Sequence, residues 1–411
     1  MTAGTAAPEA RAFRANIPRY YGFQVLFNTW LWMPVWVVFF QDRGLTMTHI
    51  GLADAWGLAL MALAEVPTGI VADLYGRRVS LALGALLTAI ASAILVFTTN
   101  LPMVLTAYVP WMIGGTLVYG ADEAFLYDSM RAAGQSDEDF TRANARAMTL
   151  IKGAQAVSSV AGSALAAVLA LHVVYVAYAL LTLLAAAAAL SLREPPRTGR
   201  SGGPTPFWSV LGNARRLLGS RPALRYILLY RAVLNTVPGV LVLLLFQPYA
   251  VAVGVPVAWL GAAMLGARLL SMLGTYLGGF ARQQAGHALL AVTLGVTLAA
   301  LLLMASSGTW VGLLFLGAAS LSVALQAPLL STLLNREVTD DVRATVLSIQ
   351  NLLLSLVMLL VEPAAGAAVD IVGFPWTFAG LGLFVAVAAV PVLFAWWRRT
   401  TAAGKSEPAA P

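Results

Sequence analysis

Four charged residues interrupt stretches that are otherwise apolar: Glu65, Glu123, Lys152 and Arg231. A charge inside hydrocarbon costs several kcal/mol, so each is a functional candidate and should have a partner. Counted at 1.5 Å per residue from the nearer ends of their apolar runs, Glu65 and Glu123 lie roughly 10 Å deep, and Lys152 and Arg231 roughly 13 Å. Two carboxylates and two cations thus share one layer. Such a set can do proton chemistry: burial disfavours the ionised form of a carboxyl and a nearby cation favours it, so a change of partner loads and releases a proton. Glu123 and Glu65, with Asp122 beside them, are the candidate proton carriers, and Lys152 and Arg231 their charge partners. The same residues could instead form a fixed salt-bridge network that pins helices together.

Uncharged polar residues extend this layer. Arg231 and Asn235 are one helical turn apart and so share a face, as do Tyr119 and Glu123. Nearer the opposite ends of their runs, Asp54, Arg268 and Glu362 reach compatible depths and could form an external gate. Trp30, Trp32, Trp36 and Trp111 could stack a flat organic molecule, or belong to the aromatic belt at a membrane interface.

The elements that carry these residues follow from composition. The chain has 411 residues, 60% of them hydrophobic and only 10% charged, with a mean hydropathy of +0.81. Soluble domains carry about 25% charged residues, so most of this surface must meet lipid. Apolar stretches of spanning length recur at about 19–41, 48–72, 79–98, 102–129, 144–170, 173–192, 222–247, 257–281, 287–306, 309–334, 343–366 and 375–397. The expected fold is all-α and integral to the membrane, with twelve spans. No cleavable signal peptide is expected, since the first run is long enough to span and lacks a small-residue cleavage site.

With both termini in the cytoplasm, only Arg43 of the 25 Lys and Arg residues lies outside. Lys152, Arg231 and Arg268 are in the membrane, and all others are cytoplasmic. The formal charge of +7 therefore reads as the positive-inside rule rather than as a nucleic-acid surface. Residues 193–221 form a linker rich in Pro, Gly, Ser and Arg, in which Phe207–Leu218 reads as an amphipathic helix on the inner leaflet. It separates two bundles of six spans, 1–192 and 222–411.

The two bundles echo each other. Asn28-Thr29 matches Asn235-Thr236, and both runs end in Phe-Gln. Gly69-x-x-x-Asp73-x-x-Gly76-Arg77 answers Gly279-x-x-x-Gln283-x-x-Gly286-His287, and Arg146-Ala147 answers Arg343-Ala344. Gln24 and Asn28 hold the positions equivalent to Arg231 and Asn235. Parallel six-helix repeats are a transporter architecture with a site near the midplane.

Gly69-Ile-Val-Ala-Asp73-Leu-Tyr-Gly76-Arg77-Arg78 resembles motif A of the major facilitator superfamily. Glu65-Val-Pro-Thr, the Asp122–Asp128 run and Arg343-Ala-Thr-Val-Leu-Ser348 resemble a bacterial multidrug and organic-solute branch of it. The resemblance covers the whole chain. It implies that spans 1, 4, 7 and 10 line a substrate cavity, which would place Gln24, Asn28, Tyr119, Asn235 and Gln326 there. It also implies a cytoplasmic gate of Gly69, Asp73, Gly76, Arg77, Arg78 and Asp128, in which Asp73 faces the start of span 11 near Arg343. Two features depart from the branch. Span 5 lacks the Gly-Pro pair of its antiporters, and span 4 lacks their buried arginine.

Enzyme classes find no support. Cysteine is absent and the three histidines are far apart. No phosphate-binding loop or Gly-x-Ser-x-Gly occurs, and neither a metal nor a cofactor is expected. The expectation is a monomeric secondary transporter in a bacterial plasma membrane, driven by protons and exporting a small organic compound. An uptake symporter or uniporter for an anionic solute, and a non-transporting receptor or lipid-handling scaffold, are the alternatives.

Overall fold

The computed structural model describes residues 10–196, 212, 219, 221–280, 286–338 and 343–404. Most of the linker, the Phe207–Leu218 stretch apart from Gly212, and Gln283 lie outside the described residues. Among the described residues there is no strand.

The chain runs through α1 (Asn16–Phe27), α2 (Trp36–Asp42), α3 (Met47–Tyr75), α4 (Arg77–Val96), α5 (Leu101–Tyr119), α6 (Asp122–Ala132), α7 (Asp137–Val168) and α8 (Val173–Leu190). After the linker come α9 (Pro222–Pro238), a π-helical segment Gly239–Leu245, α10 (Phe246–Ala252), α11 (Val257–Gly278), α12 (Gly286–Ser307), α13 (Val311–Glu337) and α14 (Arg343–Gly404). Nine helices among the described residues are long and apolar enough to cross a membrane.

Three elements differ from the uninterrupted spans expected. The first span breaks between α1 and α2. Pro34 has no N–H and its ring crowds the carbonyl four residues back, which kinks or breaks a helix. The carbonyls freed at the end of α1 are capped: Asn28 Nδ2 donates to Gln24 O at 2.9 Å, Thr29 Oγ1 to Val25 O at 2.6 Å and Tyr178 Oη to Phe27 O at 3.0 Å. Unwound backbone survives in a bilayer only with such partners. The fourth span breaks at Gly120-Ala121, and α6 restarts with Asp122 and Glu123 in its first turn, where the helix dipole favours carboxylates. The seventh loosens into the π segment after Pro238-Gly239. Aligned on Asn28-Thr29 and Asn235-Thr236, the break in the first span overlaps the start of the π segment in the seventh. α14 turns at Gly373, whose φ of 77° suits glycine, leaving two helices of roughly 30 residues, each beyond the ~20 that span.

Two compact units emerge. The first comprises residues 1–45 and 56–204 together with Val257–Ala262, and the second comprises Thr46–Ala55, 205–256 and 263–411. In the first, Tyr20, Phe23, Phe27, Phe125 and Leu126 are fully buried in a core between α1, α4, α6 and α8. Small residues allow the closest approaches. Gly84 and Gly114 press against each other's carbonyls across α4 and α5, and Gly162 of α7 sits on the carbonyl of Leu31. A Cβ at Gly162 would overlap that backbone oxygen, which no side-chain rotation can relieve. Gly162→Ala should therefore cost about 1–3 kcal/mol, read as a lower melting temperature in detergent, whereas Gly153→Ala, which meets open space, should not.

Candidate functional site

The break at Asn28 lets α1 end in a buried polar knot. Gln24 and Asn28 are 1% and 3% exposed. Gln24 Nε2 donates to Tyr20 Oη at 2.6 Å and to Asp122 Oδ2 at 3.0 Å, and Asn28 Nδ2 donates to Gln24 Oε1 at 3.0 Å. Asp122 Oδ1 accepts the Glu123 N–H at 2.7 Å. Three of the expected site residues thus meet, 98 positions apart along the chain for Gln24 and Asp122. Tyr20 joins them although nothing in its apolar run marked it.

Beside the knot lies an aromatic cavity of about 140 Å³, walled by Phe27, Trp30, Trp32, Trp111, Tyr119 and Tyr178. Trp32 meets Trp111 edge-on at 5.1 Å and Trp111 lies 5.7 Å from Tyr178, between ring centres. Tyr119 stands edge-on to Phe27 at 6.2 Å. The unwound segment carries Trp30 and Trp32 into this wall, which a continuous helix would place on other faces. Trp32 Nε1 is buried, with the Tyr178 hydroxyl as its polar neighbour. The volume is close to that of an engineered apolar cavity of about 150 Å³ that holds benzene.

A second cluster forms at the start of α4. Gly76 (φ 97°) turns the chain, and the Glu194 carboxylate caps the helix, accepting the Arg77 and Arg78 N–H groups at 2.8 Å each. Arg77 donates to the Ala124 carbonyl and forms an ion pair with Asp128, which is 3% exposed. Arg78 donates to Leu190 O at 2.7 Å and Arg19 to Ser191 O at 3.0 Å. Asn16 closes the set, donating to Ser129 Oγ at 3.1 Å and Arg193 O at 2.8 Å. Glu194 precedes Pro195-Pro196 and read as linker, yet it is the cap. Gly69 is half-buried, and Asp73 is exposed.

The other expected residues are more dispersed. In the first unit Glu65, Glu123 and Lys152 are exposed. Glu123 Oε1 accepts a bond from Asn144 Nδ2 at 3.2 Å, and Lys152 forms no ion pair with Glu65 or Glu123. In the second unit Arg231, Asn235 and Arg268 are half-buried and Arg343 is exposed. Gln326, fully buried, accepts from Tyr230 Oη at 3.0 Å, while its Nε2 has no acceptor. Asp54 and Glu362 come within hydrogen-bonding reach of each other, without an ion pair to Arg268.

Residues 21–361 match the family described as the Major Facilitator Superfamily. YxaM, an uncharacterized MFS-type transporter of Bacillus subtilis (strain 168), is 25% identical over 105 residues. That match covers 26% of this chain and 26% of the relative, so the chain spans about a quarter of YxaM's length. A bacterial homolog of the human lysosomal transporter Spinster, inward-facing and unoccupied, superposes with a TM-score of 0.70 at 17% identity over 100% of both chains. The nucleoside transporter NupG gives 0.68 at 13%, covering 94% of this chain and 98% of its own. A D-xylose–proton symporter gives 0.66 at 13%, covering 92% and 96%. At these identities the likeness is one of fold.

Proposed function

We propose, for a chain that belongs to the major facilitator superfamily, a secondary active transporter that moves a small organic compound out across the bacterial plasma membrane in exchange for protons. Twelve spans in two six-helix halves, both termini cytoplasmic, would work by alternating access as a monomer. Nine helices among the described residues meet the spanning criteria outright. The broken α1–α2 pair, the charged and serine-bearing α7 and the second arm of α14 supply the other three in this reading. The repeat supports the halves, since the break in the first span and the π segment in the seventh overlap when the two are aligned.

The aromatic cavity beside the Gln24–Asp122 knot carries the reading. It fits one planar ring and adjoins a carboxylate. Charged groups at membrane depth avoid lipid. The exposure of Glu65, Glu123 and Lys152 therefore fits a water-filled path along which protons reach Asp122 and Glu123. Motif A would act as the cytoplasmic gate.

Binding tests the cavity. A thermal-shift panel of single-ring aromatic solutes should stabilise the purified protein, and Trp111→Ala should abolish the shift for every solute that gives one. An undiminished shift in the variant would remove the cavity from the substrate path. Arg231 forms no ion pair within its unit among the described residues, which favours uptake of an anionic solute as a second reading; benzoate but not the uncharged single-ring benzamide stabilising the protein would select it.

A further inference from the structure

The N-terminal end of α3 and the first arm of α14 cross within the second unit at near-contact. Gly51 sits against the backbone of Glu362 and Pro363, and Gly366 against that of Met47. Asp370 fastens the end of the crossing, accepting the Met47 and Thr48 N–H groups at 3.0 and 2.7 Å and the Thr48 hydroxyl at 2.6 Å. One turn along α3 from Gly51, the carboxyl of Asp54 comes within hydrogen-bonding reach of that of Glu362. Glu362 is 1% exposed and its Oε2 has no partner.

Two ionised carboxylates offer acceptors only, so a bond between them requires a proton. Other charged groups of the unit do not substitute for it. Asp370 is committed to Met47 and Thr48, His49 Nδ1 takes the Thr46 N–H at 3.4 Å, and Arg268 makes no ion pair with either acid. The repeat-related crossing, between the start of α11 and α7 in the first unit, shows the contrast. There Ser159 and Ser163 donate to the Gly261 and Ala258 carbonyls at 3.2 and 3.0 Å, bonds indifferent to pH. Of two equivalent crossings, one is held by hydroxyls and the other by a pair that can titrate.

We propose that Asp54 and Glu362 form a proton-binding site that holds α3 against α14 while occupied and drives them apart when empty. Loss of the shared proton leaves two neighbouring anions, and their repulsion opposes the adjoining glycine contacts. On the transport reading above, this places a proton-controlled latch at the outer ends of the helices, separate from Asp122 and Glu123.

The chain has no cysteine, so paired labels can be placed at will. Leu52→Cys and Ile371→Cys, both exposed, carry spin labels on the two helices in lipid nanodiscs, and their distance is read from pH 5 to 10 without substrate. One short distance is expected at low pH. A longer population should grow as pH rises, its ratio to the short one increasing by at most about tenfold per pH unit, the limit for one proton. Glu362→Gln, whose amide donates to Asp54 at any pH, should keep the short distance throughout, and so should Asp54→Asn. A wild-type distance that ignores pH, or variants that titrate as the wild type does, would overturn the latch. Flux is not needed for this reading. An intact titration with no transport would sink the transport proposal alone, and proton-coupled flux with a flat titration would sink the latch alone.

Discussion

Arg77→Ala is expected to lower stability by about 3 kcal/mol, the lower end of the cost of removing one partner from a buried ion pair. The lower end applies because the Arg77 side chain retains 26% exposure while that of Asp128 has 4%. Its guanidinium serves two acceptors, the Asp128 carboxylate and the Ala124 carbonyl, on the far side of the turn that starts α4. Arg77→Lys keeps the charge but loses the planar fork, so it should recover only part of the loss. An arginine present only to set topology would predict no change, and melting temperatures of the two variants equal to wild type would support that simpler role. The neighbouring Glu194 offers a milder comparison: Glu194→Ala removes a helix cap and should cost about 1 kcal/mol.

The second large effect concerns the carboxylates at the start of α6. Glu123→Gln and Asp122→Asn should each cut proton-coupled flux by about a hundredfold, the scale of losing one positioned proton-transfer group, while leaving substrate binding intact. Asp122→Asn is the sharper test. An asparagine oxygen can still accept from Gln24, at the expense of the bond from the Glu123 N–H, so the contact between α1 and α6 persists while the titratable group is lost. Flux retained in one variant and lost in the other would assign the proton to the carboxylate whose loss stops transport. Retention in both would move the role to Glu65 or to the Asp54–Glu362 pair.

Hydropathy made the helices legible, because lipid demands long apolar runs and tolerates few charges. The same signal hid the breaks. Asn28–Val35 is apolar enough to pass for helix, and only Pro34 marked the interruption. Gly120-Ala121-Asp122-Glu123 reads in retrospect as a helix start, small residues followed by two acids, but it lay inside a run of spanning length. Depth along a helix can be counted from the sequence, whereas the face a side chain presents depends on packing. Glu65, Glu123 and Lys152 share a level when counted along their runs, yet Lys152 forms no ion pair with either acid, while Asp54 and Glu362 come within reach of each other. The Gln24–Asp122 contact was invisible for the same reason: two polar residues on separate spans carry no mark of facing one another. Glu194 escaped because its two prolines signalled a linker, and a cap formed across more than a hundred positions leaves no local pattern.

The central claim is that proton and substrate movements are obligately linked. Purified protein in liposomes with a pH-sensitive dye inside, under an imposed proton gradient, can be given an aromatic solute that stabilises it, with dye signal and solute uptake followed together. The account predicts proton movement opposite to solute in a fixed ratio, with both halted by an ionophore that collapses the gradient and both absent in Asp122→Asn. Solute accumulation against its own gradient that continues unchanged after the proton gradient is collapsed would contradict it.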